Sequence, residues 1–322
     1  MLGAIVGVNY GTLGDNLPSP NEVLELCKSN GITNIRIFEP NTDILKALSE
    51  KPSFSVIIGV RNQNIQSIAN DYNAAKSWVQ NNVAQYSNKV NFRYIAVGNE
   101  ITPYDPSTGS FAPFVGPAMV NIHKALRETA LNNNVPVSTA LRAAVLRTSY
   151  PPSAGAFKPK FAPFINPIIQ FLQENQAPLL VNVYPYFVYI SNPKDISLDY
   201  ALFRSDAPVV KDGQYEYKNL FSAIVDAFSV ATGAAGGPNV DIVVTETGWP
   251  SDGGTATSME NAQTYNNNLV NFVRNGTPRK PGKPIETYIF DVIDENQKSP
   301  EVEKHWGVFL PSKQPKYPIS FI

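Results

Sequence analysis

The chain has 322 residues, 43% of them hydrophobic and 16% charged, with a formal net charge of −1. That length suits a single α/β barrel and is long for one sandwich or bundle. Lys and Arg are spread along the chain, which excludes the clustered positive surface that nucleic acid or an anionic membrane needs.

Met1-Leu2-Gly3-Ala4 enters a strand directly, so an exported form would already have lost its leader. Strands are expected at Ala4–Tyr10, Asn34–Phe38, Ser55–Val60, Asn91–Gly98, Val135–Leu141, Leu179–Tyr184, Val240–Thr245 and Thr287–Ile293, all short and apolar or β-branched. Between them fall amphipathic stretches. Ser19-Pro20-Asn21-Glu22 opens one helix with a cap, a proline and an acid in the first turn. Others are expected at Asp43–Leu48, Ala74–Gln85, Val115–Asn132, Phe161–Asn175, Tyr217–Thr232 and Ser258–Arg274. Cys27 is the single cysteine, which excludes an internal disulfide and a cysteine metal site, and its frame of Val23, Leu24 and Leu26 marks it as core. His123 and His305 have no ligand-spaced partners, so no metal is expected. No apolar run is long enough to span a membrane. The sequon Asn275-Gly276-Thr277 is followed by Pro278 and is too common a triplet to establish secretion.

Eight alternations of strand and helix predict an α/β fold, a (β/α)₈ TIM barrel of one catalytic domain over 1–322. The irregular stretch 186–215 reads as a small subdomain in the loop after strand six. An open doubly wound sheet is the rival, but Asn9-Tyr10-Gly11-Thr12-Leu13-Gly14 lacks dinucleotide spacing and a phosphate-loop lysine. In a barrel, chemistry sits where strands end. Those ends carry Tyr10, Phe38, Asn99-Glu100, Asn182 with Tyr184 and Phe187, Glu246 with Trp249, and Asp294-Glu295-Asn296. Carboxylates, amides and flat rings on one rim fit a neutral, polyhydroxylated ligand; a phosphate would call for Arg, Lys or glycine-rich nests.

Asn91–Glu100 ends a buried strand on a carboxylate, where burial raises proton affinity and makes Glu100 a candidate general acid. Glu246 ends strand seven across the same mouth. Two such groups, one protonated and one ionised, are what glycoside hydrolysis requires, and a separation of about 5–5.5 Å gives retention of configuration. Either glutamate alone could instead cap the following helix or pair with a nearby Arg or Lys. No expected strand contains a lysine, which counts against a Schiff-base barrel.

Val6-Gly7-Val8-Asn9-Tyr10-Gly11, Tyr94-Ile95-Ala96-Val97-Gly98-Asn99-Glu100, Leu180-Val181-Asn182-Val183-Tyr184-Pro185-Tyr186-Phe187, Val243-Val244-Thr245-Glu246-Thr247-Gly248-Trp249-Pro250-Ser251 and Asp294-Glu295-Asn296-Gln297-Lys298 together resemble the plant endo-β-1,3-glucanases of glycoside hydrolase family 17. The likeness runs from Ile5 to Phe321. It implies a retaining barrel with an open groove, acting on β-1,3-glucan without metal or cofactor, as a monomer that is secreted or vacuolar. By position, Glu246 resembles the nucleophile and Glu100 the acid/base. Glu286, Glu295 and Lys298 match charged groups around the pair, and Asn99 would bond the sugar 2-hydroxyl. Tyr10, Tyr184, Phe187 and Trp249 would be groove aromatics.

The chain also departs from the family. Phe38 stands where a tyrosine is usual, Glu39 where an aspartate is common, and Ile293 where an aromatic residue stacks. Asp291 is a charge at a place for a small residue, and Arg142 and Arg147 make the end of strand five more basic. These departures bear on affinity and turnover. They leave room for a glucan-binding protein with weak or lost turnover, and the linkage, pure β-1,3 or mixed β-1,3;1,4, stays open.

Overall fold

The computed structural model describes residues 5–131 and 134–321. The strand start expected at Ala4, the leader reading at Met1–Ala4 and the helix end expected at Asn132 lie outside them. Eight parallel strands close a barrel: β1 (Val6–Asn9), β2 (Asn34–Ile37), β3 (Ser55–Val60), β4 (Asn91–Asn99), β5 (Val137–Arg142), β6 (Leu179–Asn182), β7 (Ile242–Thr247) and β8 (Thr287–Ile289). Each pairs with its neighbour in sequence, and β1 closes the ring on β8 through Val6↔Thr287, Gly7↔Tyr288 and Val8↔Ile289.

Alternation along the strands splits the core in two. Ile57, Tyr94, Ala96, Ala140, Leu180, Val243 and Tyr288 form a small apolar cluster of their own. Val8, Ile35, Ile58, Ile95, Val181 and Val244 belong to the larger cluster that the helices share. Those helices are α1 (Pro20–Ser29), α2 (Thr42–Ser49), α3 (Asn62–Asn70), α4 (Tyr72–Asn82), α5 (Ala112–Arg127), α6 (Ala162–Glu174), α7 (Pro185–Ser191), α8 (Leu198–Ala201), α9 (Leu220–Ala234) and α10 (Met259–Phe272). At the start of α1 the Ser19 amide donates to the Glu22 carboxylate at 3.0 Å, the acid-in-first-turn arrangement its sequence announces.

Two differences from the sequence reading matter. Helix α3 was not expected, because its stretch is rich in Asn, Gln and Ser and offers only Ile65 and Ile68 to the core. Tertiary contact completes it: Asn121 of α5 donates to the carbonyls of Ile68 and Ala69 at 2.9 and 3.1 Å, capping its last turn. Strand β8 stops at Ile289, four residues before the expected end. Beyond it the backbone turns to meet the closing segment, with Asp291 N on Trp306 O and Phe309 N on Val292 O. Between β6 and α9 lie α7, α8 and a hairpin of Val210–Asp212 with Tyr215–Tyr217.

Candidate active site

The strand C-termini open on a cavity of about 660 Å³. Its wall includes Tyr10, Phe38, Asn99, Glu100, Asn182, Tyr184, Phe187, Glu246, Glu295 and Lys298, ten of the residues singled out by sequence. Glu100 follows β4 through a left-handed turn, with φ +79° at Gly98 and +54° at Glu100 itself. A Cβ at Gly98 would stand 2.7 Å from the methyl ends of Ile65 and Ile101, so an added side chain would push those methyls aside as well as strain the backbone, and it is the conformation that favours glycine. The Glu100 amide is held by the Ala140 carbonyl of β5 at 2.9 Å. The last residue of β4 and this first one after it therefore enter the cavity on fixed backbone.

Glu246 is placed differently. Its Oε1 accepts from Arg36 Nη1 at 2.7 Å, and its Oε2 accepts from the Tyr184 hydroxyl at 2.7 Å. Arg36 is buried within β2, where desolvation makes an unpaired guanidinium expensive. It is paired on several sides: its Nη2 donates to Asn99 Oδ1 at 2.7 Å, and its Nη1 also reaches Asn182 Oδ1 at 3.3 Å. Asn182 Nδ2 in turn donates to Glu100 Oε1 at 2.9 Å. One arginine and one asparagine therefore connect the two carboxyls.

That network gives the glutamates opposite characters. Burial pushes Glu100 up to about 7, with the negative charge of Glu246 adding to the rise; Asn182, Arg142 and Arg36 oppose it. Glu246 instead sits against a buried cation. Asn99 uses its oxygen toward Arg36 and Asn182, which leaves the amide nitrogen for a ligand hydroxyl. Aromatic rings line one side of the cavity: Tyr184 meets Trp306 edge-on with centroids 5.2 Å apart and Phe187 at 5.5 Å, and Phe38 meets Phe290 at 6.2 Å. Phe187 is 39% exposed and is the ring of this group most open to solvent. Glu295 and Lys298 form an ion pair of 3.1 Å on the wall.

Three expected groove residues are elsewhere. Glu286 precedes β8, at the opposite mouth of the barrel, where it accepts from Arg93, Tyr94 and Tyr288 at 2.8–3.1 Å. The direction of a parallel strand puts its first and last residues on opposite faces, so a residue before Thr287 cannot join one after Ile289. Trp249 is fully buried. Its indole nitrogen donates to the Ala256 carbonyl at 2.9 Å and its ring packs on Tyr186 and Tyr265. Ile293 is 3% exposed and its backbone bridges Phe309, so it supports the closing segment from behind.

Arg36, Phe290, Glu303 and Trp306 join the site without having been assigned to it by sequence. A signal existed for Arg36, a charge inside the apolar run Asn34–Ile37. Glu303 lies in a short 3₁₀ turn far from any strand end, and nothing local marks it. Burial raises its proton affinity, as do the charges of Glu246 and Glu295, against Lys298. Arg142 reaches the cavity wall and binds Asp105 at 2.7 Å and Thr102 at 3.2 Å, bracing the loop after Glu100.

A (β/α)₈ barrel that presents one protonatable carboxyl and one cation-bound carboxylate at its strand C-termini has the layout of a two-carboxylate glycosidase. The sequence model of "Glycosyl hydrolases family 17" matches residues 6–321, and the chain belongs to that family. A glucan endo-1,3-beta-glucosidase of Vitis vinifera is 52% identical, covering 98% of this chain and 91% of that protein. The basic vacuolar isoform of Nicotiana plumbaginifolia is 47% identical over 98% of this chain and 86% of its own length. Among solved structures, the β-1,3-glucanase and pollen allergen CJP38 of Cryptomeria japonica superposes with a TM-score of 0.94 at 46% identity, covering 98% of this chain and 99% of that one.

Proposed function

We propose that this chain is a retaining endo-hydrolase of β-1,3-glucan in which Glu246 is the nucleophile and Glu100 the acid/base. Glu246 attacks the anomeric carbon as the bond to the departing sugar oxygen breaks, and Glu100 gives that oxygen its proton. The product is a glycosyl ester on Glu246. Glu100, now ionised, takes a proton from water, whose oxygen attacks the same carbon and frees the carboxylate. The observation that carries this reading is the Glu100–Asn182–Arg36–Glu246 connection, which supports a proton on one carboxyl and a charge on the other. Asn99 is assigned to the sugar 2-hydroxyl and the Tyr184, Phe187 and Phe38 rings to sugar faces.

Glu100→Ala and Glu246→Ala should each abolish reducing-sugar release from laminarin. Azide added to Glu100→Ala should yield the β-glucosyl azide, by attack on the ester. Added to Glu246→Ala it should yield the α-azide, by direct displacement on an activated fluoride donor. The reverse pattern would exchange the two roles, and near-normal hydrolysis by either variant would end the proposal. The rival, a glucan binder with lost turnover, rested on Phe38 and Ile293. Ile293 is buried behind the wall, which removes half of that motive. Binding of laminarin without new reducing ends would restore it.

The chain works as a monomer with no membrane or nucleic-acid partner in this reading, and is secreted or vacuolar; the name of the Nicotiana plumbaginifolia relative, a vacuolar isoform, supports the second. Residues 186–215, with α7, α8 and the hairpin, are assigned as a small inserted subdomain of one catalytic domain.

A further inference from the structure

Asp291 follows β8 next to Phe290 of the cavity wall and has no task in the reaction just described. It is 2% exposed, as is Glu295, and the two carboxyls are close neighbours, the charge of Glu295 acting on Asp291. Their surroundings supply few donors. Glu295 Oε2 takes the Leu13 amide at 2.6 Å, while Glu295 Oε1 and Asp291 Oδ1 have no aligned hydrogen-bond donor among the described residues. Lys298 Nζ stands 3.1 Å from Glu295 Oε1 and also lies 4.1 Å from the Phe290 ring centroid. The other charged or titratable groups facing the pair are Asp294, Glu303 and Tyr317, and Asp294 is engaged by Lys316 at 2.8 Å.

Two neighbouring carboxyls, each 2% exposed and with one lysine beside Glu295, strongly disfavour a double negative charge. A proton placed between them supplies the missing donor and leaves one negative charge opposite one lysine. We propose that Asp291 and Glu295 share a single proton, making Asp291 a positioning residue that clamps Glu295 between the Leu13 amide and Lys298 on the groove wall. Space is tight enough for the clamp to matter: a Cβ at Gly11 would stand 2.2 Å from Glu295 Oε1, so a small turn of that carboxyl meets the β1 loop. Burial and the neighbouring charge of Glu295 hold Asp291 far above the ordinary carboxylate range. The pair therefore behaves toward the groove as Glu295 and Lys298 alone would, and a charged residue is tolerated where a small one is expected.

The test has a spectroscopic arm independent of catalysis and a kinetic arm that rests on the proposed hydrolysis. In D₂O at about pH 9, where free carboxyls are ionised, the infrared spectrum of Glu100→Gln should retain a protonated-carboxyl C=O band that disappears in Glu100→Gln/Asp291→Asn. The Glu100→Gln background removes that acid's own contribution. In otherwise wild-type protein, Asp291→Asn keeps a donor toward Glu295 and should hold kcat/KM on laminarin within about twofold. Asp291→Ala, which removes it, should lose about tenfold, the scale of one hydrogen bond to a charged group. The absence of any band sensitive to Asp291→Asn would overturn the shared proton, whatever the kinetics show. Equal kcat/KM in the Asn and Ala variants would overturn the positioning role. A chain that hydrolyses no laminarin fails the earlier proposal and leaves the infrared arm standing.

Discussion

Arg36 illustrates how much one side chain settles in this site. It binds the carboxylate of Glu246 and the amide oxygens of Asn99 and Asn182 while fully enclosed. Arg36→Met should therefore do more than weaken the protein. Leaving Glu246 buried without its cation costs about 3–5 kcal/mol of stability, and losing the 2.7 Å contact that orients the nucleophile should lower kcat about ten- to hundredfold. Thermal melts and laminarin kinetics on the same sample separate the two effects. Tyr184→Phe is a gentler probe. It deletes the 2.7 Å hydrogen bond to Glu246 with little change of shape, and about 1.5–3 kcal/mol for a bond to a charged group corresponds to a ten- to hundredfold loss in kcat.

At the scale of elements, the end of β4 is the most demanding piece. Gly98 and Glu100 both adopt positive φ, which an L side chain enters only at a cost of about 1–2 kcal/mol. Gly98→Ala adds that strain to a contact with Ile65 of α3 and with Ile101. We expect a loss of about 2–4 kcal/mol in denaturant unfolding, with kcat falling further than stability explains because Glu100 is displaced. A variant with unchanged kcat would show that the turn does not set the position of the acid. Helix α3 takes part in this support through Asn62, which pairs with the Asn99 amide at 2.9 Å and its carbonyl at 3.1 Å. A polar helix that sequence periodicity passes over thus holds the strand end in place.

For the whole molecule, the proton on Glu100 links activity to stability. Its folded value of about 7 lies above the ordinary 4.5, so the native state holds the proton more tightly than the unfolded chain. The resulting stabilisation, roughly 3 kcal/mol, is present below about pH 4.5 and lost as pH rises through 7. Hydrolysis should decline over the same upper range because the acid is gone. Glu100→Gln should be comparatively indifferent, so its melting temperature should gain on the wild type between pH 5 and 8; parallel curves would refute the assignment. The buried thiol gives a second global probe. Cys27 is 1% exposed and its thiol is pushed up to about 12 by burial, so a thiol reagent should label the chain only as fast as it unfolds. Rapid labelling of native protein would mean that α1 opens locally.

By itself the sequence determined the alternation of strands and helices, the barrel, and both catalytic candidates, because strand period and strand ends are local properties of Asn91–Glu100 or Val243–Glu246. Strand direction, also local, could have excluded Glu286 from the groove, but the family likeness placed it there, and the structure corrected that. Other features required the closed ring. Arg36 meets Glu246 only when β2 and β7 face one another, Glu303 arrives on a loop that no period marks, and Trp249 and Ile293 turn away from the cavity under packing that their neighbours in sequence do not impose. Contacts made across the barrel between residues 146 or 210 positions apart are decided by closure, and closure is a property of all eight strands together.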